Sequence, residues 1–457
     1  MSNKALSNWT FSTLSPREEL LLKLADLDSN ANYYNNIKSM CKVRGPLDFS
    51  RLKSSIQKII DNHEAFSTGY TKNSAGYYQR YIQENMTWEL TIDNIKDDTE
   101  ANSYFHNIAF TFLLPDKPPL WRVFVLKNEN EEYYIILYIH HLICDAMSIR
   151  IFWQDLSKLY NNTSLAELNA KPYSQFVKWH YEQQDKIDLP YWREKLTGVK
   201  PVNFPYFNDH NVGENCAAIE GFSINKDTYK QLDELSKRYK ISIYVILLSC
   251  LQKVLYELTL EKRFCISLVY HNRTHGCFQN TIGFVASMIP CTFDYNENSP
   301  ILEQVLSTDK TLQEHFSIAR GEIGYILKNK HNLLNRMPNI EFNYIPAIIN
   351  NYSFKLDDAE CQISLADDPR IPDESHSHAS EENNFYWSRK LFPIDSTITA
   401  IQHPDSINLE IFYRKRFFEK SYVQEFCQKF KCCLTDILSK LNTETLKLSN
   451  FNDHVKI

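Results

Sequence analysis

The stretch that decides the fold runs from Tyr133 to Leu156 and reads YYIILYIHHLICDAMSIRIFWQDL. Its first seven residues form a continuous apolar run, rich in aromatic and β-branched side chains, which predicts a strand buried on both faces. Ile149 and Phe152 then begin a helical spacing, and Ser148 is the expected N-cap of that helix. Two histidines and an aspartate lie between the two elements. Because such groups are costly at the end of a buried strand unless they are paired or used, this junction is the candidate functional site.

The adjacent histidines, His140 and His141, are not equivalent in this interpretation. Successive strand side chains point to opposite faces, so only one of the pair can face a given cavity. Asp145 follows His141 by four residues, and its carboxylate can hold a structural charge or orient the imidazole. An imidazole held in one tautomer is a good general base near neutral pH. The candidate catalytic residues are therefore His141, Asp145 and His140, although a packed core position explains His140 as well.

Composition limits the class of protein. The 457 residues are 43% hydrophobic, 13% aromatic and 23% charged, which is typical of a globular chain with a large core. Only 10 glycines occur, and neither a GxxxxGK[ST] nor a GxGxxG motif is present, which argues against a nucleotide-driven mechanism. The net charge of −6 argues against nucleic acid as the main partner.

The apolar runs and the cysteines predict the surroundings of the protein. No apolar run reaches the ~18 residues of a membrane span, and the N-terminal residues lack an apolar signal-peptide core. The 11 cysteines include no CxxC pair, a usage typical of a reducing compartment, where thiols pack as small hydrophobes. We therefore expect a cytoplasmic protein with no membrane association, no disulfide and no metal site.

The residues 140–148, HHLICDAMS, resemble the HHxxxDG motif of the condensation domains of nonribosomal peptide synthetases, which belong to the chloramphenicol acetyltransferase-like superfamily. Ala146 stands where that family usually has glycine, and a position that needs positive φ tolerates alanine poorly. Further stretches resemble family motifs in the same order: NHEAFST at 62–68, YWREKLTG at 191–198, IGFVASMIP at 282–290 and EFNY at 341–344. The resemblance covers residues ~12 to ~440, which makes it far more specific than one motif.

The resemblance implies an α/β fold, an α+β sandwich of two chloramphenicol acetyltransferase-like lobes that form a pseudo-dimer with a tunnel between them. Residues 1–180 would form the N-terminal lobe that carries the HHxxxD motif. Residues 181–457 would form the C-terminal lobe that carries IGFVASMIP and a crossover loop. The alternation of strands and helices in both halves of the chain also favours two similar α/β lobes.

The activity implied by the resemblance is transfer of an acyl or peptidyl group from a carrier-bound thioester to an amine or hydroxyl acceptor. His141 would accept the proton of the nucleophile or donate a hydrogen bond to the tetrahedral oxyanion, and Arg273 would pair with Asp145 and keep it ionised. Ser148 and Ser287, the latter in place of the usual asparagine, are supporting residues, and His63 is structural. No cofactor is expected, since the phosphopantetheine arm of the carrier protein belongs to the substrate.

The sequence contains no adenylation, carrier or thioesterase segment, so we expect a freestanding monomer. Its donor, an acyl or peptidyl carrier protein, would then arrive in trans. The acceptor would be a small-molecule amine or a second carrier protein.

Two alternatives remain open. Epimerization domains of the same superfamily share features with Ser148–Ile151, Ser287–Met288 and Phe342–Tyr344, but they carry a glutamate upstream of the IGF-type motif. Here residues 269–281 read VYHNRTHGCFQNT, without a carboxylate, and inversion of a stereocentre needs two acid/base groups. The other alternative is a non-catalytic recruitment domain of this fold, against which the intact HHxxxD argues.

One segment differs from the rest in composition. Residues 357–384 are strongly acidic, with Arg370 as the only basic residue other than His376 and His378. We expect a solvated, mobile crossover loop that attracts a cationic acceptor. Two histidines without a nearby third ligand do not predict a metal site.

Overall fold

The computed structural model describes residues 9–27, 35–108, 112–130, 132–206, 217–273, 277–324, 327, 331, 338–350, 352–365 and 395–453. Within these ranges the chain forms two six-stranded sheets, one three-stranded sheet and the helices that pack against them. The predicted α/β fold with two lobes is confirmed, one large sheet for each lobe. The helices are α1 (Pro16–Leu27), α2 (Phe49–Asn62), α3 (Asp98–Asn107), α4 (Ala146–Tyr160), α5 (Tyr173–Gln183), α6 (Leu189–Leu196), α7 (Lys226–Tyr239), α8 (Ile243–Thr259), α9 (Ile301–Ile318), α10 (Ala347–Asn350) and α11 (Lys420–Asp453).

The sheet of the first lobe is organised around the apolar strand that precedes the two histidines. From edge to edge its strands are β12 (Ser353–Leu356), β13 (Ala359–Leu365), β2 (Asn36–Arg44), β7 (Glu132–His140), β6 (Trp121–Lys127) and β5 (Leu90–Asn94). The central strand β7 is antiparallel to both β2 and β6, with Ile139 opposite Ile37 and Trp121. The predicted buried strand is thus confirmed, and it extends through His140.

The two faces of β7 pack against different helices, as the period of two in a strand requires. Ile135, Leu137 and Ile139 lie in one apolar cluster with residues of α2 and α4. Tyr134, Ile136 and Tyr138 lie in a second cluster with residues of α3. Burial on both faces explains why this segment has no polar alternation, and it fixes the position at which the histidines emerge.

The sheet of the second lobe has the same number of strands and a larger core. From edge to edge its strands are β10 (Ser287–Asp294), β9 (Arg263–Tyr270), β11 (Ile340–Ile345), β14 (Ser396–Gln402), β15 (Ile407–Arg414) and β8 (Ala217–Ile224). The apolar helix α8 (Ile243–Thr259) lies buried in this core. A third sheet joins β1 (Trp9–Ser12), β4 (Tyr78–Gln83) and β3 (Thr68–Lys72) in that order.

The lobe boundary predicted at residue 180 assigns β12 and β13 to the second lobe, whereas both strands belong to the sheet of the first lobe. These strands come late in the chain, yet β13 pairs with β2 of the first lobe, with Cys361 opposite Val43 and Ile363 opposite Cys41. Cys361 and Ile363 are buried in the first lobe's apolar cluster, which explains why the chain crosses over. The first lobe therefore includes residues 353–365.

The acidic segment begins differently from the expected solvated loop. Ala359–Leu365 is the paired strand β13. The remainder of the segment, residues 366–384, lies outside the described residues, so its predicted mobility and its attraction for a cationic acceptor stay predictions.

In the described part of the chain, no single helix is long and apolar enough to cross a membrane. Only α7 and α8 taken together, bent by 107°, meet the criteria of length and composition.

Candidate active site

His140 ends β7 and holds the turn that follows it. Its Nδ1 accepts a hydrogen bond from the backbone N–H of Leu142 at 3.0 Å, and the residue is buried. Burial, together with the neighbouring His141, lowers the pKa of His140 to about 3. The neutral ring therefore carries its hydrogen on Nε2 and has no free lone pair for proton transfer. This geometry assigns His140 a structural role and separates it from the other two catalytic candidates.

His141 begins the short 3₁₀ turn His141–Ile143 and keeps partial solvent exposure. Its ring lies against Phe284, with 4.3 Å between the ring centroids. Burial lowers the pKa of His141, against the opposing effect of nearby backbone groups and of Asp145. Nδ1 is buried without a hydrogen-bond partner, and no hydrogen bond joins Nε2 to a described residue. His141 is therefore a neutral imidazole near pH 7 with one ring nitrogen available to a reactant.

Asp145 is the most heavily bonded carboxylate of the site. Arg273 binds it in a bidentate pair, with Nη1–Oδ2 at 2.8 Å and Nη2–Oδ1 at 2.9 Å. The backbone N–H groups of Val285 and Ala286 donate to Oδ2 at 3.1 and 2.9 Å. Burial alone would raise the pKa of Asp145. The charge and hydrogen bonds of Arg273, together with the hydrogen bonds of Ser148, outweigh this effect and lower the pKa. The predicted ion pair is therefore present, and the carboxylate is fully used by it and its neighbours.

The expectation that Ser148 caps the helix is wrong, because Asp145 is the N-cap of α4. The carboxylate of Asp145 accepts from the backbone N–H of Ser148 at 2.8 Å. Ser148 is the third residue of the helix, and its Oγ lies 2.8 Å from Asp145 Oδ1 and 2.9 Å from the carbonyl oxygen of Gly283. Ala146 is the first helical residue, a right-handed position that does not need glycine. The departure from the family pattern is thus accommodated without strain.

Arg273 and Gly283 bring the second lobe against the motif. Arg273 Nη2 also donates to Ser148 Oγ and to the Thr281 carbonyl oxygen, both at 3.0 Å. Gly283 donates its N–H to Ser148 Oγ at 3.1 Å, and a Cβ at this position would lie 2.2 Å from the ring of Tyr173. Only glycine allows this close approach, so the loop before β10 is fixed on the N-terminus of α4.

Two site residues were not found by sequence reasoning, Arg17 of α1 and Glu322. Arg17 Nε lies 3.2 Å from Glu322 Oε2, and Glu322 is 2% exposed. Burial raises the pKa of Glu322 to about 7, against the opposing effects of Arg17 and of the Ser287 hydroxyl. The backbone N–H of Glu322 donates to His180 Nδ1 at 2.8 Å. The partners are 305 residues apart and outside the motifs, so no sequence signal joins them.

The remaining predicted residues lie at the edges of the site. Ser287 begins β10, is buried, and faces the Glu322 carboxyl. His63 Nε2 lies 2.9 Å from Asp155, and this buried pair joins the end of α2 to α4, which agrees with the structural role expected of it. Among the described residues, no group of three or more His, Cys, Asp or Glu side chains is placed to hold a metal ion.

The buried ion pair generates a stability prediction. Asp145→Ala and Arg273→Ala each leave a buried partner without its counter-charge, so each should lower the free energy of unfolding by ~3–5 kcal/mol. The exposed Asp26–Lys72 pair is the matched control, since Asp26→Ala should cost ~0–1 kcal/mol. Urea unfolding at pH 7 measures both, and equal losses for Asp145→Ala and Asp26→Ala would show that the pair does not hold the site together.

Glu322 generates a prediction for pH. Its pKa is about 7 in the folded chain against an ordinary value of 4.5, so between these values the folded state binds more protons than the unfolded state. This group's contribution to stability therefore falls as pH rises from 4.5 through 7. The side chain of Glu322→Gln cannot ionise. The free energy of unfolding of this variant, measured relative to that of the parent protein, should therefore increase as the pH rises from 5 to 8. The exposed Glu19→Gln variant is the control, and a Glu322→Gln difference that stays constant with pH would contradict the assignment.

Residues 10–455 match the family model described as "Condensation domain". N-(5-amino-5-carboxypentanoyl)-L-cysteinyl-D-valine synthase of Penicillium rubens is 25% identical over 94% of this chain and 12% of its own length. Gramicidin S synthase 2 of Aneurinibacillus migulanus is 22% identical over 91% of this chain and 9% of its own. The chain thus spans about a tenth of the length of these relatives.

Solved structures give the same fold. The condensation domain from the monacolin K polyketide synthase MokA aligns with a TM-score of 0.72 and 16% identity over 96% of this chain and 98% of that one. The epimerization domain from the third module of tyrocidine synthetase B aligns with a TM-score of 0.74 and 15% identity over 95% and 97%. Since the family model covers nearly the whole chain, this protein belongs to the condensation domain family of nonribosomal peptide synthetases.

Proposed function

We propose that the protein is an acyltransferase that joins an acyl or peptidyl group, presented as a thioester on a carrier protein, to an amine acceptor. The observation that supports this most directly is the state of His141. It is a neutral imidazole with Nε2 available, on a turn that the Asp145–Arg273 pair holds against the second lobe. One positioned base is what attack by an amine on a thioester requires.

The proposed reaction uses few groups of the chain. The amine nitrogen attacks the thioester carbon, and the proton that the amine loses passes to His141 Nε2. The carbon–sulfur bond of the tetrahedral intermediate then breaks, and the departing thiolate takes the proton from His141. Asp145 does not exchange protons in this scheme, because its lowered pKa and its bonds to Arg273 keep it ionised. Its part is to position the turn that carries His141.

The phosphopantetheine arm of the carrier is treated as substrate in this proposal. The donor arrives with its carrier protein, and the tunnel that would admit the arm between the lobes remains a prediction.

One observation favours a second candidate function, epimerization. Glu322 places a carboxyl near the Ser287 end of β10, although the sequence upstream of the IGF-type segment has none. However, Oε2 of Glu322 bonds Arg17, and Oε1 is buried. In this conformation one carboxyl oxygen is thus bonded and the other is shielded from solvent. We therefore favour bond formation, which needs His141 alone as proton acceptor.

The proposal predicts the behaviour of a His141 variant. His141→Ala should lower the rate of transfer from a loaded carrier by about 10²–10⁴, because assistance by a general base is worth that much. The variant should stay folded, because it loses the ring contact with Phe284 but no hydrogen bond from Nε2 to a described residue. The exposed His106→Ala is the matched control and should transfer at the parent rate. Intact-carrier mass spectrometry measures the loss of thioester, and near-normal turnover by His141→Ala would remove this residue from the mechanism.

A further inference from the structure

Arg17 lies beside the candidate active site, and only one of its three guanidinium nitrogens forms a hydrogen bond to a described residue. Its Nε donates to Glu322 Oε2 at 3.2 Å, and its side chain is 12% exposed. Neither of its Nη atoms has a partner in the described part of the chain. A guanidinium with both Nη groups available presents a planar fork that matches the two oxygens of a carboxylate.

Both Arg17 and His141 lie near the ring of Phe284, which limits the distance between them. The guanidinium carbon lies 5.9 Å from the centre of the Phe284 ring, and that ring centre lies 4.3 Å from the centre of the His141 ring. The guanidinium is therefore no more than ~10 Å from the imidazole, with an apolar surface beside it. In such a setting a charge-assisted hydrogen bond is stronger than in water.

The net charge of the Arg17–Glu322 pair favours binding of an anion. Glu322 is the one carboxylate that pairs with Arg17 among the described residues, and its pKa of about 7 leaves it only partly ionised at neutral pH. The guanidinium stays charged throughout this range. Arg17 thus carries positive charge that its own partner does not fully neutralise.

We propose that Arg17 binds the carboxylate of a free α-amino acid acceptor, and that Glu322 is the positioning residue that holds the guanidinium through Nε. This inference rests on the function proposed above and names the class of its acceptor. A carrier-bound aminoacyl group has a neutral thioester at the place of the carboxylate, so Arg17 would distinguish free acceptors from carrier-bound ones.

The distances fit this class of molecule. In an α-amino acid one carbon separates the amine from the carboxylate. With hydrogen bonds of ~2.8 Å at each end, such a molecule would place a guanidinium carbon on the order of 8–10 Å from an imidazole centre. This agrees with the limit set by Phe284. The amine would then lie at His141 Nε2 while the carboxylate lies in the fork of Arg17.

Binding is the first test, because it needs no donor. The parent protein is titrated calorimetrically with each of the proteinogenic amino acids and with the matching primary amides. We expect at least one amino acid to bind at least tenfold more tightly than its amide. Arg17→Gln should bind the acid no better than the amide, whereas Arg51→Gln, which alters a surface arginine paired with Asp357, should retain the preference.

Glu322→Ala tests the positioning role. It removes the acceptor that holds Nε and leaves both Nη groups in place, so it should weaken binding of the acid several-fold with little effect on the amide. In a transfer assay the same variant should raise the acceptor KM and change kcat little, which a merely structural role would not produce.

Three binding results would overturn the inference. They are equal binding of acid and amide by the parent protein, binding of neither, and a preference that survives in Arg17→Gln. A kinetic result would overturn it as well: a fall in kcat of Arg17→Gln with acid and amide acceptors alike would show that Arg17 stabilises the tetrahedral oxyanion instead.

The transfer assay separates this inference from the proposed function. Carrier proteins loaded with a panel of aminoacyl groups are offered the same acids and amides. Transfer to amides as fast as to acids would support the acyltransferase and refute the carboxylate site. Binding that depends on the carboxylate, without transfer to any acceptor, would support the site and refute the acyltransferase.

Discussion

The Asp145 carboxylate is the group on which the geometry of the site depends. It accepts from Arg273, from Ser148 and from two consecutive backbone N–H groups at residues 285 and 286. These donors come from the helix of the first lobe and from two segments of the second. A buried carboxylate is stable only when its lone pairs are satisfied, so the lobes must meet here for either to be complete. The position of His141 is a consequence of that meeting.

The two histidines show how little separates the structural role of His140 from the chemical role that we propose for His141. Both are neutral near pH 7 because burial lowers the pKa of each. His140 uses its lone pair on the backbone of its own turn, whereas His141 keeps Nε2 available beside Phe284. The difference comes from the end of β7, where the strand gives way to a 3₁₀ turn. Arg17 also lies near the Phe284 ring and pairs with Glu322, and the proposed proton transfer uses neither of these two residues.

Much of this arrangement could be predicted from local pattern. The run of apolar residues at 133–139 has no polar alternation, so a central strand was the only strand that fits, and the HHxxxD resemblance led to the Asp145–Arg273 pair. The cap of α4 could not be decided in this way, because aspartate and serine are both good N-caps and only the length of the turn selects Asp145. The pairing of β13 with β2 and the Arg17–Glu322 pair depend on packing between distant segments, for which the sequence carries no local signal.

Bond formation and inversion of a stereocentre differ in the fate of the α-hydrogen, and this gives the most direct test of the account. The protein is incubated in D₂O with an aminoacyl-loaded carrier, with and without amine acceptors, and the α-carbon is analysed by mass spectrometry. The account predicts loss of thioester only when an amine is present, and no deuterium at the α-carbon. Deuterium incorporation without any acceptor would contradict it, because it would show that the protein removes the α-hydrogen, a step that bond formation does not include.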